Sequence, residues 1–457
     1  IGFLIYEVEG VDKFVICRRL GRLMSSPCYP FVVTANSRGS NWLAKFLTDV
    51  LVLDFTRVLA GPFCTMTLAD LGARVVKIES PEGDEARGMG PFKDGHSLYF
   101  ASVNRGKQSV VLNLKNPAER KIAQDLASKA DVLVENFRPG TMQRFGLDYE
   151  TLSRLNPTLI YSSISGFGQT GPYQDRGAYD VIIQAMSGLM GITGPLEGSP
   201  TRVGASIGDM IPALYMLGAI MGALYERTRT GEGCHLDVSM MDSLFALTEN
   251  ALARYWLTGE DPSPLGNRHP AIAPFSTFAT KDDVIVIACG NDALWARLCA
   301  CLGIPEAIKD PRFLNNSLRT ENADALATYL ESQLTKESTA TWLTILLEAG
   351  IPAAKVNRMS DLAEDPQLQA RNMVTQVTQD GIGHMLMPGS PIKSNRSNDQ
   401  VGGSAPRLGA HTYEVLEELV DLDETTLKKI AQPNSSGKSP GIWREDYRTK
   451  TNKAESS

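Results

Sequence analysis

The sequence predicts an α/β protein with a doubly wound parallel sheet, joined to a smaller α+β domain from which the chain returns to the first. Between residues 50 and 165, apolar segments of strand length alternate with helix-like segments. This alternation is typical of a parallel sheet with helices on both faces. After Gly259 the chain becomes rich in proline and glycine, which indicates a linker into a second domain.

The elements of the first domain follow in order along the chain. Buried strands are expected at residues 50–55, 74–79, 109–114, 131–136 and 159–165. Helices are expected at residues 64–72, 117–130 and 141–155, the first ending at Gly72 and the second starting after Asn116. A long helix at 210–227, a strand at 235–240 and a helix at 241–257 follow.

These elements divide the chain into five parts. Residues 1–49 are an N-terminal segment without an assigned fold, and residues 50–255 form the first part of the large domain. Residues 256–350 form the small domain, and residues 351–431 are a linker that returns to the large domain. Residues 432–457 read as a polar tail because they are rich in Ser, Lys and Asn.

Composition argues against several classes of function. The formal net charge of the 457 residues is −7, whereas a general nucleic-acid binder needs a basic face. The seven cysteines form no C-x-x-C pair and the five histidines are isolated, so neither a disulfide framework nor a metal site is expected. Residues 208–226 are predicted to be a buried helix rather than a membrane span, because Asp209 and Pro212 interrupt their apolar character.

The segment G-F-G-Q-T-G at residues 166–171 has the glycine spacing of a dinucleotide-binding loop. Such a loop needs a helix that begins inside the motif and an acidic residue about twenty positions later. Here Pro172 and a polar loop follow at once, and no strand near Met190 ends in an acidic residue. A tight turn is favoured, and an NAD-dependent oxidoreductase remains an outside alternative.

Basic residues are concentrated near the expected carboxyl ends of the strands, where open α/β sheets bind ligands. Together they would form a cradle for an anion, although single ones are usually just solvated. They are Arg57, Arg87, Arg105, Lys107, Lys115, Arg138, Arg144 and Arg176.

Longer segments resemble the class III CoA-transferases, a family that includes formyl-CoA transferase, carnitine CoA-transferase and the α-methylacyl-CoA racemases. The matching segments are collinear over roughly residues 50–420 and include VLDFTRVLAGPFCTMTLADLGARVVKIESPEGD, NRGKQSVVLNLK, ADVLVENFRPGTMQRFGLDYETLSRLNPTLIYSSISGFGQTGP and RVGASIGDM. The resemblance implies a Rossmann-like CoA-binding large domain and an interlocked-ring homodimer. It also implies CoA thioesters as substrates, with no permanently bound cofactor.

The resemblance implies that Asp209 is the nucleophile, since it ends the motif G-A-S-I-G-D at residues 204–209. The residues agree with this role, because small neighbours permit close approach of a substrate and a helix start favours an anion. Without the resemblance, a helix cap would be the commoner role for Asp209. The implied reaction passes through a mixed anhydride and an aspartyl-CoA thioester.

The family's CoA contacts correspond to four segments of this sequence. Arg138, Arg144 and Lys115 would meet the CoA phosphates, and Arg176 is a candidate to replace a lysine of the family near Gly177. The full set is Val58, Leu59, Leu112, Asn113, Leu114, Lys115, Asn136, Phe137, Arg138, Arg144 and Arg176.

The family also contains racemases, which use a His-Asp pair where this chain has Tyr179-Asp180. Exchange of an α-proton needs two positioned bases, so a transferase is favoured and a 2-methylacyl-CoA racemase is the alternative. A third possibility is a catalytically silent acyl-CoA binder, in which Asp209 would be dispensable. The carboxylate acceptor would be held by Arg105, His269 or Arg319, each of which has an ion pair as its alternative role.

The chain resembles in particular the family members that move CoA from succinyl-CoA to glutarate, which are mitochondrial. That resemblance predicts small dicarboxylic acids as partners, a homodimer without a membrane span, and a mitochondrial location. Arg18, Arg19 and Arg22 hint at a transit segment, whereas Glu7, Glu9 and Asp12 argue against one.

Overall fold

The computed structural model describes residues 46–395 and 401–431 in full, together with three strands nearer the N-terminus. The chain forms two units, Ile1–Ala44 and Lys45–Ser457. In the first, β1 (Phe3–Glu7), β2 (Lys13–Arg18) and β3 (Phe31–Thr34) pair as an antiparallel sheet. The expected polar tail at residues 432–457 and the possible transit segment at Arg19 and Arg22 lie outside the described residues.

The second unit begins with alternating strands and helices. They are β4 (Leu51–Asp54), α1 (Ala60–Asp70), β5 (Arg74–Glu79), β6 (Phe92–Lys93), β7 (His96–Ser97), α2 (Leu98–Asn104), β8 (Gln108–Val111), α3 (Pro117–Ala127), β9 (Val132–Glu135), α4 (Thr141–Phe145), α5 (Tyr149–Leu155), β10 (Ile160–Ser165), α6 (Asp180–Met186), α7 (Leu189–Ile192), α8 (Ile207–Thr230), β11 (Cys234–Ser239), α9 (Met240–Phe245) and α10 (Glu249–Thr258).

Six of these strands form the central sheet, in the order β11-β10-β9-β4-β5-β8, and every pair is parallel. Alternate side chains of one strand enter different apolar clusters, as Val52 and Leu53 of β4 do. Helices α1, α8 and α9 cover one face, and α3, α5 and α17 (Thr412–Leu419) cover the other. The predicted doubly wound α/β fold is confirmed.

The remaining elements follow α10. They are β12 (Phe275–Ala279), β13 (Val284–Ala288), α11 (Asp292–Cys301), α12 (Asn316–Glu321), α13 (Ala323–Leu334), α14 (Thr339–Glu348), β14 (Ala353–Lys355), α15 (Met359–Ala363), α16 (Pro366–Ala370), β15 (Val374–Gln379), β16 (Gly383–Pro388), α17 and α18 (Glu424–Ala431). Strands β12, β13 and β14 form an antiparallel sheet whose apolar cluster extends from Ala273 to Ile351. Val415 and Leu427 then join the cluster of the central sheet, so the chain returns to it.

Helix α8 differs from its prediction as a buried helix. Its buried residues, which include Ala213, Met216 and Ile220, form one stripe that faces the sheet. Leu214 and Tyr225 on the other side are exposed within this chain. Among the described residues, α8 alone is long and apolar enough to cross a bilayer.

Candidate functional site

Asp209 lies in the first turn of α8, close to the carboxyl end of the sheet. Its backbone N–H donates to the carbonyl of Ser206 at 3.1 Å, and Ser206 offers no side-chain cap to the helix. The Asp209 carboxylate is therefore not used as the helix cap, which was the alternative role for this residue. Burial raises the pKa of Asp209 to about 7, and the negative charge of Asp180 adds to the effect.

Asp180, at the start of α6, supports the turn that carries Asp209. Its Oδ1 accepts from the Gly208 N–H at 2.9 Å, and its two oxygens accept from the Gln184 amide at 2.9 and 3.0 Å. Gln184 in turn accepts from the Val203 N–H at 2.8 Å, and Arg202 pairs with Asp180 at 3.1 Å. Helix α6 therefore holds both ends of the loop that leads to Asp209.

Glycines make this packing possible. A Cβ on Gly208 would lie 2.9 Å from the Asp180 carboxylate and 3.1 Å from its Cα, so a side chain there would displace α6 or α8. A Cβ on Gly166 would lie 2.3 Å from the Cβ of Ala178. The motif G-A-S-I-G-D thus needs its second glycine for close contact between two helices.

Tyr99 on α2 is close enough to Asp209 and Asp180 for their negative charges to affect its pKa. Burial raises its pKa to about 12, and the charges of Asp209, Asp84 and Asp180 add to the shift. The phenol is therefore protonated at neutral pH and can donate a hydrogen bond to a carboxylate. Nothing in the sequence indicates a role for Tyr99, and Asp180 is noted there only at the position of the racemases' His-Asp pair. The fold brings both side chains near Asp209.

Three of the segments predicted to contact CoA begin where strands of the central sheet end. Val58 and Leu59 connect β4 to α1, residues 112–115 follow β8, and residues 136–138 follow β9. Two of the segments are joined directly, since the Arg57 N–H donates to Asn136 Oδ1 and Asn136 Nδ2 donates to the Arg57 carbonyl, both at 2.8 Å. The Arg57 guanidinium also lies over the ring of Phe137, at 4.6 Å.

The predicted phosphate-binding side chains are mostly exposed. Lys115, Arg138 and Arg144 are exposed, and Arg144 donates to the Thr141 hydroxyl at 3.0 Å. Arg176 stacks on Tyr173 at 3.7 Å, whereas the Arg138 guanidinium lies where a Cβ of Gly177 would meet it at 2.8 Å. The Arg138 guanidinium therefore lies close to Gly177, and the replacement of the family's lysine by Arg176 stays a prediction.

The glycine segment at 166–171 forms a turn. No helix begins between Gly166 and Tyr179, a stretch that the structure describes throughout, and Gly168 and Gly171 have left-handed φ values of 87° and 94°. The Gln169 N–H donates to Asp237 at 2.9 Å, so an acidic side chain occupies the position where a pyrophosphate would need free N–H groups. This geometry favours the turn over a dinucleotide site.

Comparison with known proteins assigns the family. The model of CoA-transferase family III matches residues 47–412. The chain belongs to this family. The resemblance deduced from its segments is thereby confirmed, and the protein is a class III CoA-transferase.

Named relatives and solved structures agree with this assignment. Acetyl-CoA:oxalate CoA-transferase of Acetobacter aceti is 49% identical over 352 residues, or 77% of this chain and 89% of that protein. Succinyl-CoA:glutarate CoA-transferase of Mus musculus is 39% identical over 388 residues, or 84% of this chain and 89% of that protein. The crystal structure of a CAIB/BAIF family protein from Brucella suis matches with a TM-score of 0.73 at 38% identity, over 82% of this chain and 99% of that chain.

Two of the three acceptor-binding candidates of this CoA-transferase, Arg105 and Arg319, form ion pairs within the chain. Arg105 is 3% exposed and binds Asp70 through two N–H groups, at 2.7 and 3.2 Å. The other terminal nitrogen of Arg105, Nη1, donates to the Pro388 carbonyl at 2.9 Å. The structure thus favours a buried ion pair for Arg105 over a substrate clamp, because the guanidinium is buried and each of its three nitrogens already donates to a protein oxygen.

The other two candidates for binding the acceptor are Arg319 and His269. Arg319 is fully buried and donates to the carbonyls of Ala273 and Phe313 and to Asp292, so it too serves the packing of its own domain. His269 is partly exposed, and its Nδ1 accepts from the Ala271 N–H at 3.1 Å. His269 is therefore the remaining candidate of the three for binding the acceptor carboxylate.

The site around Asp209 offers carboxylates and a phenol for chemistry. The charges of Asp180 and Asp209 act on each other and on Tyr99, which makes these three side chains one electrostatic group. Among the described residues, no group of three or more His, Cys, Asp or Glu side chains is arranged to hold a metal ion.

Proposed function

We propose that this class III CoA-transferase moves CoA from an acyl-CoA donor to a small dicarboxylate through covalent adducts on Asp209. The observation that carries the proposal is the half-buried Asp209 carboxylate, with a pKa of about 7, at the end of a small-residue loop. Burial leaves the ionised form poorly solvated, which makes it a better nucleophile than an exposed aspartate.

The proposed reaction has four steps. The Asp209 carboxylate attacks the acyl carbon of the donor and expels CoA thiolate, which leaves a mixed anhydride. The thiolate attacks the Asp209 carbonyl, releases the donor acid and forms an aspartyl-CoA thioester. The acceptor carboxylate attacks this thioester and expels the thiolate again. The thiolate then attacks the acceptor carbonyl of the new anhydride, which gives the product and restores Asp209.

The proposed donor and acceptor are succinyl-CoA and glutarate, as the resemblance predicts. A second pair, acetyl-CoA and oxalate, is favoured by the relative at 49% identity, whose name states that reaction. The acceptors of both pairs are small dicarboxylates. The protonated Tyr99 phenol is the group near Asp209 that supports carboxylate binding, because it can donate a hydrogen bond.

Intact-mass measurement tests the reaction and both substrate pairs. Wild type, Asp209→Asn and a control, Asp125→Asn on the exposed side of α3, are each mixed with succinyl-CoA or acetyl-CoA. We expect a hydroxylamine-sensitive CoA adduct on wild type and on the control, but not on Asp209→Asn. Glutarate or oxalate is then added, and the acceptor that discharges the adduct as its CoA thioester is the substrate. Absence of an adduct with either donor, combined with exchange of an α-proton, would favour the racemase alternative.

We also propose that the protein is a homodimer. Apolar side chains are exposed along α8, α9 and α10 and would be covered by a second copy. We name them the α8–α10 apolar face: Leu214, Tyr215, Tyr225, Phe245, Leu252, Trp256 and Leu257.

A mitochondrial location is proposed from the resemblance to the glutarate-specific members. Expression of the chain with a C-terminal fluorescent protein tests it, and diffuse cytosolic fluorescence would contradict the proposal.

A further inference from the structure

The loop between β4 and α1 has a backbone conformation that its sequence does not favour. Val58 has a φ of 65°, in the left-handed region, where a β-branched side chain is crowded by its own backbone. Such conformations persist only where the surrounding structure fixes them, and they are concentrated at functional sites. The groups that fix Val58 therefore bear on what this loop does.

Two buried carboxylates hold the loop from either side of its turn. Asp54 Oδ1 accepts from the Thr56 N–H at 2.9 Å and from the Thr56 hydroxyl. Asp84 Oδ1 accepts from the Val58 N–H at 3.1 Å and from the Ala86 N–H at 2.9 Å. Each carboxylate therefore accepts from a backbone N–H of the loop that has no hydrogen-bond partner in a strand or helix.

Two buried lysines connect these carboxylates. Lys77 Nζ donates to the Thr56 carbonyl at 2.7 Å and pairs with Asp84 Oδ2 at 2.9 Å. Lys107 Nζ pairs with Asp54 Oδ2 at 2.9 Å and also donates to Asn104 and to the Pro62 carbonyl. We name Asp54, Lys77, Asp84 and Lys107 the buried charge network.

The network cannot touch a substrate directly. Its four side chains are at most 3% exposed, and its two positive and two negative charges balance. Lone buried charges are costly, so each pair is stable only while both partners remain. Any influence of the network on a ligand must act through the loop that it holds.

That loop is connected to a second ligand segment. The reciprocal hydrogen bonds between Arg57 and Asn136 fix the start of residues 136–138 to residues 57–59. A shift of Val58 would therefore move both segments.

We propose that the buried charge network is a positioning unit for CoA, which holds Val58 in its left-handed conformation and thereby aligns residues 57–59 with residues 136–138. The inference rests on the proposed function, because Val58, Leu59 and residues 136–138 are assigned to CoA by resemblance. Asp84 is its most direct member, since it accepts from the Val58 N–H.

Calorimetric titration with CoA itself tests the proposal on four full-length proteins: wild type, Asp84→Ala, Asp84→Asn and the double variant Asp84→Ala/Val58→Gly. We expect Asp84→Ala to weaken the Kd about tenfold, since the free loop must be ordered on binding. Asp84→Asn retains an acceptor for the Val58 N–H but removes the charge partner of Lys77, so its Kd should lie between those of wild type and Asp84→Ala. Glycine adopts a positive φ without strain, so Asp84→Ala should cost much less in a Val58→Gly background.

Glu79→Gln is the matched control. Glu79 is also buried and is ion-paired with Arg87 at 2.6 Å, and its other hydrogen bonds go to the Ser109 hydroxyl and the Asp84 N–H rather than to residues 56–59. It should lower the melting temperature as Asp84→Ala does, yet leave the Kd for CoA near that of wild type. If Asp84→Ala proves unfolded by circular dichroism, Asp84→Asn and Asp84→Asn/Val58→Gly decide instead. Asp84→Asn should weaken the Kd severalfold, and the glycine should remove most of that loss, whereas a wild-type Kd in Asp84→Asn would overturn the positioning role.

The outcomes separate this inference from the proposed function. Wild type that binds no CoA overturns both. Wild type that binds CoA, together with a folded Asp84→Ala of unchanged affinity, overturns only the positioning role. The same holds if Asp84→Ala costs as much in the Val58→Gly background as it does in wild type, because the loop conformation would then not be the link.

Discussion

At the level of single residues, the role proposed for Asp209 as nucleophile places two opposing requirements on its carboxyl group. A carboxylate nucleophile must be ionised, yet burial and the charge of Asp180 raise its pKa to about 7. Near neutral pH about half of the molecules carry the reactive form. The poor solvation that raises the pKa also makes the ionised carboxylate a stronger nucleophile. A smaller ionised fraction is thus accompanied by a higher reactivity of each ionised group.

Replacing Asp180 tests this account of the pKa. In wild type, kcat/KM for the acyl-CoA donor should rise with pH to a plateau, with a midpoint near the Asp209 pKa of about 7. Asp180→Asn removes a negative charge next to Asp209, so the midpoint should move to lower pH, and activity at pH 6 relative to pH 8 should rise severalfold. Asp125→Asn serves as the control and should leave the midpoint in place. An unchanged midpoint in Asp180→Asn would show that burial alone sets the pKa.

The raised pKa also has a cost in stability. Below about pH 4 the Asp209 carboxyl is protonated in both the folded and the unfolded chain, so it has no effect. As the pH rises towards 7, the unfolded chain loses this proton while the folded chain retains it, which destabilises the fold. Asp209→Asn should therefore be more stable than wild type at pH 8 by at least about 1 kcal/mol. Urea unfolding at pH 4 and pH 8 measures this, and a difference that does not grow with pH would contradict it.

Sequence identified some of these residues and not others for a physical reason. The role of Asp209 as nucleophile rests on the resemblance of its motif at residues 204–209 to the family, whereas the residues alone favour a helix cap. Asp180 lies 29 positions earlier, and Tyr99 is on a different helix, so only the packing of α6, α2 and α8 reveals them. At Arg105 and Arg319, whose binding of the acceptor stays a prediction, the sequence does not show that the guanidinium already has partners within the chain.

At the scale of elements, the strands were predicted well and helix boundaries less well. Apolar runs identified β4 and β9, since a strand buried on both faces has no polar alternation. The runs in β5 and β10 are interrupted by Lys77 and by serines, which are buried as well. The helix expected at 141–155 is instead α4 and α5, because Gly146 adopts a left-handed φ of 65° between them. The helix expected at 241–257 is likewise broken, by Glu249 with a φ of 30°.

The close contact between α6 and α8 leads to a prediction about the stability of the fold and the rate of the reaction. Gly208→Ala would place a methyl group 2.9 Å from the Asp180 carboxylate and force the two helices apart. We expect a loss of about 1–3 kcal/mol in unfolding free energy, and a fall in kcat of at least about tenfold because Asp209 moves with the turn. Gly290→Ala is the control, since a Cβ there meets no atom within 4 Å. Unfolding by urea and initial rates measure the two effects, and full activity in Gly208→Ala would contradict the importance of this contact.

At the scale of the whole molecule, the α8–α10 apolar face is the feature that the single chain leaves unexplained. Trp256 is 83% exposed, Leu257 77% and Tyr225 67%, which is costly for aromatic and aliphatic side chains in water. The stripe of α8 that faces the sheet carries Asp209 in its first turn, while the opposite side carries part of this face. A second copy that covers the face would therefore also contact the helix that carries the proposed nucleophile.

A charged residue on this face tests the homodimer. Trp256→Glu combined with Leu257→Glu would place two charges in the proposed interface, where unpaired charges are costly. Wild type should sediment as a species of twice the chain mass, and the double variant should shift towards the single-chain mass with a dimer Kd at least about a hundredfold weaker. Leu347→Glu, at a residue that is 56% exposed on α14, is the control and should leave the dimer intact. Dimers that persist in the Trp256/Leu257 variant would place the interface elsewhere, and a wild-type chain that is monomeric but binds lipid vesicles would give the apolar face a different partner.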